Sequence, residues 1–161
     1  MSAIDKLESD HREVEKLFEA FEKARTSARK RDIFEQIADA LAVHAHIEEQ
    51  HFYPAAKSKD TEDMLLEATE EHLSVKRLIA DLLELDAKDE TFEAKVKVLQ
   101  EQIEHHVEEE EKELFPKVKK LLDEDTLLSL EQEMVATEEE MLEEGEPRNR
   151  VPGETDEAIN V

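Results

Sequence analysis

The sequence predicts an all-α fold: an antiparallel up-and-down four-helix bundle with an internal two-fold repeat, followed by a C-terminal acidic helix and a flexible tail. Three observations predict it. Only 2 glycines and 4 prolines punctuate 161 residues, a composition of long helices with few tight turns. Four stretches place apolar residues at alternating spacings of three and four, the period of a helix with one buried stripe. These stretches also match one another in pairs at nearly one offset, as two helix hairpins would.

The first helix is read from Ile4, Leu7, Val14, Leu17, Phe18 and Phe21, with Ser2 as its N-cap. A polar stretch around Thr26, Ser27, Arg29 and Lys30 separates it from a second stripe of Ile33, Phe34, Ile37, Ala40, Leu41, Ile47 and Phe52, which ends near Pro54. After a loop at 57–61 the third stripe runs through Met64, Leu65, Ala68, Val75, Leu78, Ile79 and Leu82. A turn at 86–91 leads to the fourth, Phe92, Val96, Leu99, Ile103, Val107, Leu114, Val118 and Leu121. Residues 125–144 form a fifth, acidic helix whose weak apolar side is Leu127, Leu128, Leu130, Met134 and Met141. Beyond Gly145, the residues Pro147, Pro152 and Gly153 among charged neighbours read as a tail without structure. The expected divisions are therefore 1–122 for the bundle, 123–145 for the acidic helix and 146–161 for the tail.

Composition narrows the function. A net charge of −24 leaves no basic face for phosphate backbones or anionic membranes, so neither nucleic acid nor membrane is expected as a partner. The lack of cysteine removes disulfides, thiolate metal sites and thiol catalysis. No uncharged run approaches the ~18 residues of a membrane span, and the first residues carry no apolar leader segment. A cytoplasmic location is the expectation; the sequence leaves the oligomeric state open.

The repeat brings out a set of polar residues. Asp10-His11 through Leu17 aligns with Glu71-His72 through Leu78, and His44 through Pro54 aligns with His106 through Pro116, so that Glu48-Glu49 pairs with Glu110-Glu111 and Tyr53-Pro54 with Phe115-Pro116. Each half thus contributes one His, then His-x-x-x-Glu. Residues four apart on a helix have Cβ atoms about 5–6 Å apart, so His44 with Glu48 and His106 with Glu110 can share a ligand. Spacing alone is weak in a chain with 45 acidic residues. Seam position is stronger. The seams read Ile4, Leu7, His11, Val14; Ile37, Leu41, His44, Glu48, Phe52; Leu65, Ala68, His72, Val75; and Leu99, Ile103, His106, Glu110, Leu114.

One polar residue in an apolar seam is usually a satisfied core group. Six at once, two of them carboxylates, require a positive charge between them, because an unpaired buried carboxylate costs several kcal/mol. A pair of metal ions held by His11, His44, His72, His106, Glu48 and Glu110 meets that need. Nitrogen and oxygen ligands without sulfur suit iron, manganese or zinc.

The order His, His-x-x-x-Glu, His, His-x-x-x-Glu, with Glu-Glu-x-x-aromatic-aromatic-Pro after the second His and a near copy in the second half, resembles the hemerythrin-like (HHE cation-binding) domain family over about residues 5–120. The resemblance implies two iron ions in an oxo- or hydroxo-bridged di-iron centre. It puts the terminal ligands on His11, His44, His72 and His106 and the bridging carboxylates on Glu48 and Glu110. It further implies a small-molecule ligand, O2, H2O2 or NO, bound for sensing, scavenging or protection. Peroxide- or NO-directed oxidoreductase activity is left open, and iron storage or an iron-responsive binding module without turnover is the alternative. A helical interaction protein without metal is a third reading.

The sequence departs from the oxygen carriers of that family, which use a fifth His one turn from the third-helix His. Here the residues at that spacing are Ala68 and Lys76, with His51 and Glu113 as candidates for a seventh ligand. His46 and His105 fall off the seams and are expected at the surface. In so acidic a chain Glu49 and Glu111 are read first as part of a solvated face, with acceptors that orient imidazoles as the alternative. Tyr53 and Phe115, with their prolines, are expected to end or bend their helices and plug the core below the site.

Overall fold

The computed structural model describes all residues, Met1–Val161, and they are helical with no strands. Helix α1 (Ala3–Lys23) opens with a capping box: the Asp5 amide donates to Ser2 Oγ at 3.3 Å while the Ser2 amide donates to Asp5 Oδ2 at 3.0 Å. Thr26 then caps α2 (Ser27–Ile47) by accepting from the Arg29 amide. The break between the helices is therefore only three residues, shorter than the polar stretch suggests, because Ser27, Arg29 and Lys30 already belong to α2.

Helix α2 does not stop at Pro54. It widens into a π-helical turn, Glu48–Phe52, and continues as the short α3 (Tyr53–Ala56). The same sequence of elements recurs after α4 (Glu62–Glu84): α5 (Phe92–Glu109) passes through a π-helical turn, Glu110–Leu114, into α6 (Phe115–Leu121). Each π turn is closed by a five-residue hydrogen bond, Tyr53 N–H to the Glu48 carbonyl and Phe115 N–H to the Glu110 carbonyl. Proline explains the location. Pro54 and Pro116 have no N–H for the carbonyls of Gln50 and Lys112, and a wider turn relieves the clash of the ring with the preceding turn.

Helix α1 packs along α2, α4 along α5, and α2 touches α4. Arg31 of α2 ties the hairpins together by donating to the carbonyls of Leu82, Leu83 and Leu85 at the C-terminus of α4. The core consists of two apolar clusters. One gathers Phe18, Phe21, Phe34, Ile37, Ile79, Leu82, Phe92 and Leu99 around a T-shaped Phe34–Phe92 contact. The other gathers Ile4, Leu7, Ile47, Phe52, Tyr53, Leu65, Phe115 and Val118. Between Leu7 and Val14 on α1, and at the matching levels of the other helices, the buried residues are His11, His44, His72 and His106. A polar layer thus divides the core.

The acidic helix is present as α7 (Glu124–Glu144), capped by Asp123. Leu127, Leu130, Met134 and Met141 are buried within the same cluster as Ile4 and Phe115, while Leu128 is exposed. Residues 146–161 differ from the expected flexible tail. Gly145 at φ +81° and left-handed Glu146 reverse the chain, and Pro147–Glu154 forms a 3-10 helix lying on α2 and α4. Pro147 and Val151 are buried. Arg148 binds Asp39 through both its amide and its guanidinium at 2.9 Å, and Arg77 donates to the carbonyls of Thr155 and Asp156. Composition reads such a segment as unstructured because its order comes from long-range ion pairs, not from its own apolar content. No helix is long and apolar enough to cross a membrane.

Candidate metal centre

The six residues singled out from the seams converge in the polar layer, and they do so as two sets. His11, His44 and Glu110 each offer one ligand atom within 4.8 Å of the others, and so do Glu48, His72 and His106; all six residues are buried. The sets interlock. Glu48 follows His44 on the same helix with 3.2 Å between Oε1 and Nε2, yet the same oxygen is 3.2 Å from His72 Nε2. Glu110 places Oε1 3.2 Å from His11 Nε2 and Oε2 3.4 Å from His106 Nε2. Each carboxylate therefore spans both pairs of imidazoles, and the rings meet at equal spacing, 4.9 Å for His11–His44 and for His72–His106.

All four imidazoles point Nε2 inward, and a carboxylate stands behind each Nδ1. His11 faces Glu111 at 2.7 Å, His44 faces Asp10 at 3.4 Å, His72 faces Glu49 at 2.7 Å and His106 faces Glu71 at 2.8 Å. Donation of Nδ1–H to these acceptors leaves the Nε2 lone pair directed into the layer, the tautomer a metal-binding histidine requires. Two further residues anchor this outer ring. Lys76, itself buried, reaches both oxygens of Glu49 at 3.0 Å, and Lys6 pairs with Asp10 at 3.2 Å.

The sequence favoured a solvated face for Glu49 and Glu111 over orienting acceptors; the structure corrects this, since both lie 2.7 Å from an imidazole Nδ1. Asp10 and Glu71 were visible in the repeat as the acids preceding His11 and His72, and that shared position was the available signal. Lys76, one turn from His72 where a fifth imidazole would stand, is turned to Glu49 and away from the layer. Neither candidate for a seventh ligand enters it: His51 Nε2 is bonded to Thr137 Oγ1 at 2.7 Å, and Glu113 is exposed.

The group that does enter is one the sequence reading missed. The Tyr53 hydroxyl donates to Glu110 Oε2 at 2.6 Å and lies 3.3 Å from both His72 Nε2 and His106 Nε2. Its ring stacks on His72, and Phe115 stacks on His11 in the corresponding place. His46, expected in solvent, is half-covered by the C-terminal segment, and burial with nearby Arg150 lowers its pKa. His105 is at the surface as expected, beside Glu67, Glu71 and Glu109.

The electrostatics show a site short of positive charge. Burial pushes against ionisation of His44, but Glu48, Asp10 and Glu110 outweigh it and raise the imidazole to about 10. His72 and His106 are raised in the same way against their burial, by Glu48 with Glu49 and by Glu110 respectively. Glu48 is held well below the carboxylate range despite complete burial, chiefly by His44. Burial and the adjacent Glu110 and Glu48 push the Tyr53 hydroxyl far up.

Hydrogen bonding leaves the same deficit. Five buried side-chain polar atoms in the chain lack a partner, and all five line this layer: His11 Nε2, His44 Nε2, both oxygens of Glu48 and Glu110 Oε1. Several lie 3.2 Å from one another without the geometry of a hydrogen bond. Buried nitrogen and oxygen atoms that converge without hydrogen-bond partners fit cations between them.

The family model described as "Hemerythrin HHE cation binding domain" matches residues 2–118. A Nostoc protein named a DNA nickase is 28% identical over 119 residues, 74% of this chain and 34% of that protein, so the chain spans about a third of the relative's length. In three dimensions the chain is similar to a hemerythrin HHE cation-binding domain-containing protein from Mycobacterium kansasii, with a TM-score of 0.77, 21% identity and coverage of 96% of this chain and 94% of the other.

Proposed function

Since this chain belongs to the hemerythrin HHE cation-binding domain family, we propose that it holds two iron ions, bridged by oxo or hydroxo, between its two interlocked ligand sets and uses them to bind or react with O2, peroxide or NO. His11, His44 and Glu110 would hold one ion and His72, His106 and Glu48 the other, each glutamate spanning to the opposite pair. The single observation that carries this reading is that all five orphaned buried polar atoms converge in one layer. Bound iron supplies Lewis acidity and one-electron redox chemistry toward such small molecules.

The protein's own part is orientation and charge. Asp10, Glu49, Glu71 and Glu111 fix the orientation of the four imidazoles, Tyr53 O–H holds Glu110, and the two apolar clusters keep bulk water from the layer. We read the two hairpins as pseudo-twofold halves of an antiparallel up-and-down four-helix bundle, supported by the recurrence of a π turn 62 residues on. Scavenging or sensing of small oxidants is preferred to iron storage because the site is finite and enclosed, with no acidic interior in which a mineral could grow. A cytoplasmic setting and independence from nucleic acid remain part of the reading. The charge of −24 opposes a phosphate backbone, so DNA nicking by the longer Nostoc relative is not extended to this chain.

The test is iron analysis of the purified protein, with an optical spectrum before and after addition of peroxide or NO. Two irons per chain and repeated consumption of the added oxidant support the proposal. Stoichiometric bleaching favours storage, and iron at background refutes the metal centre.

A further inference from the structure

A small cavity of about 40 Å³ opens against three of the four inward imidazoles, His44, His72 and His106, and so adjoins both ligand sets. Its walls are aliphatic, among them Leu41, Val75, Ile79 and Ile103. Its roof is not part of the four main helices. Val151, 3% exposed on the C-terminal 3-10 helix, closes it, flanked by Arg150 and Glu154.

Size and lining define what such a space accepts. One water needs roughly 10–15 Å³ of this measure, so the cavity takes a molecule of two or three heavy atoms. The aliphatic walls offer no hydrogen bonds; of the two cations at the rim, Lys76 is already engaged by Glu49 and, at 2.9 Å, by Glu154, and Arg150 is exposed to solvent. An ion would lose its hydration there without replacement, whereas an uncharged molecule would not.

The roof is also the part of the fold best placed to open. Its apolar anchors are Pro147 and Val151 alone, and the rest of its attachment is polar and peripheral: Arg148 to Asp39, Lys76 to Glu154, and Arg77 to the Thr155 and Asp156 carbonyls. Segments with few buried apolar contacts open locally at low cost compared with core helices. Lys76 joins this latch to the centre, since the same ammonium that holds Glu154 holds Glu49 behind His72.

We propose that this cavity is the admission site for the centre's ligand, that it takes uncharged molecules of two or three heavy atoms, and that Val151 is the residue limiting their size. The proposal rests on the functional reading above and goes beyond it. It places size selection on a segment outside the matched residues 2–118.

Two measurements test it. Crystals of the metal-free protein under xenon pressure should show a xenon atom beneath Val151, retained in Val151→Ala and excluded in Val151→Phe. On iron-loaded protein, stopped-flow binding of NO should slow by about tenfold or more in Val151→Phe and quicken several-fold in Val151→Ala and Glu154→Gln, as expected where entry follows local opening, with iron content and melting temperature monitored in each variant. An empty cavity under xenon, or wild-type NO rates in a folded, iron-replete Val151→Phe, overturns the admission site while leaving the di-iron reading intact. Iron-loaded wild type that is inert to NO overturns that reading and the admission role with it, even where xenon marks the cavity.

Discussion

Replacing Glu48 with Gln tests the centre most directly, because the change keeps the side chain's shape and removes only its charge and bridging capacity. Glu48 is completely buried, with both oxygens unpaired and three imidazole Nε2 atoms, of His44, His72 and His106, within 3.9 Å. Two ions at free concentrations about 100 times their dissociation constants stabilise the fold by about 2.7 kcal/mol each, about 5 kcal/mol together. Over 161 residues, an unfolding entropy of about 2.1 cal/mol/K per residue gives about 0.34 kcal/mol/K. Ferrous iron under anaerobic conditions should then raise the melting temperature by about 16 °C. Because Glu48 touches both sets, Glu48→Gln should reduce that rise to less than about 5 °C. The assay is differential scanning calorimetry with and without iron, each variant serving as its own metal-free reference. The exposed residue Glu108, changed to Gln, should keep the full rise. A Glu48→Gln protein that retains the wild-type increment would refute the assignment of this carboxylate, and a wild type without any increment would refute the metal centre.

The outer ring makes separate predictions. Glu49→Gln removes the acceptor behind His72 without touching the inward atoms, and should weaken iron binding about 10- to 100-fold at unchanged stoichiometry; competition with a calibrated chelator reads this, and unaltered affinity would make Glu49 merely structural. Tyr53→Phe keeps the ring and deletes the donor to buried Glu110, so urea unfolding of the metal-free protein should show a loss of about 1.5–3 kcal/mol; an unchanged midpoint would contradict the 2.6 Å contact. The metal-free protein should also lose stability with rising pH. His44 is raised from 6.5 to about 10, so its contribution is fully present below pH 6.5 and disappears as pH climbs through about 10. Melting temperatures between these values should fall more steeply for wild type than for His44→Gln, and parallel slopes would count against the charged imidazole.

Much of the site was legible because its polar residues interrupt hydrophobic seams, and a seam survives in the sequence as a spacing. His11 between Leu7 and Val14 is conspicuous in that sense, as are the other five. The acceptors behind the imidazoles were harder to see. Glu49 and Glu111 lie beside ligands in a chain rich in glutamate, and only the partner helix shows which acids turn inward: Glu49 of the α2 continuation meets His72 of α4, and Glu111 of the α5 continuation meets His11 of α1. The C-terminal segment was hidden for another reason. Val151 and Pro147 are too sparse to announce a packed element, and the attachment depends on Asp39, Lys76 and Arg77, all more than 70 residues away in the chain.

The π turns account for the remaining error, and they give the two His and Glu sets unequal surroundings. A regular α-helix returns the residue four places after Glu48 to the same face, which is why Phe52 was placed in the seam and Tyr53 below the site. The wider turn returns the fifth residue, so Tyr53 comes back over the layer and Phe52 drops into the core against Phe115 at 5.5 Å. The second half repeats the shift with Phe115 over His11. Where the first half returns a hydroxyl, the second returns a bare ring, and this single difference reaches the ligands. Glu110 has one oxygen bonded by Tyr53 and one unpaired, whereas both oxygens of Glu48 are unpaired. The hydroxyl sits 3.3 Å from His72 and His106 and makes no bond to His11 or His44. The Tyr53 hydroxyl therefore stands beside His72 and His106 and holds Glu110, while Glu48, His11 and His44 make no bond to it, so the near-symmetry of the six residues does not extend to their hydrogen bonding.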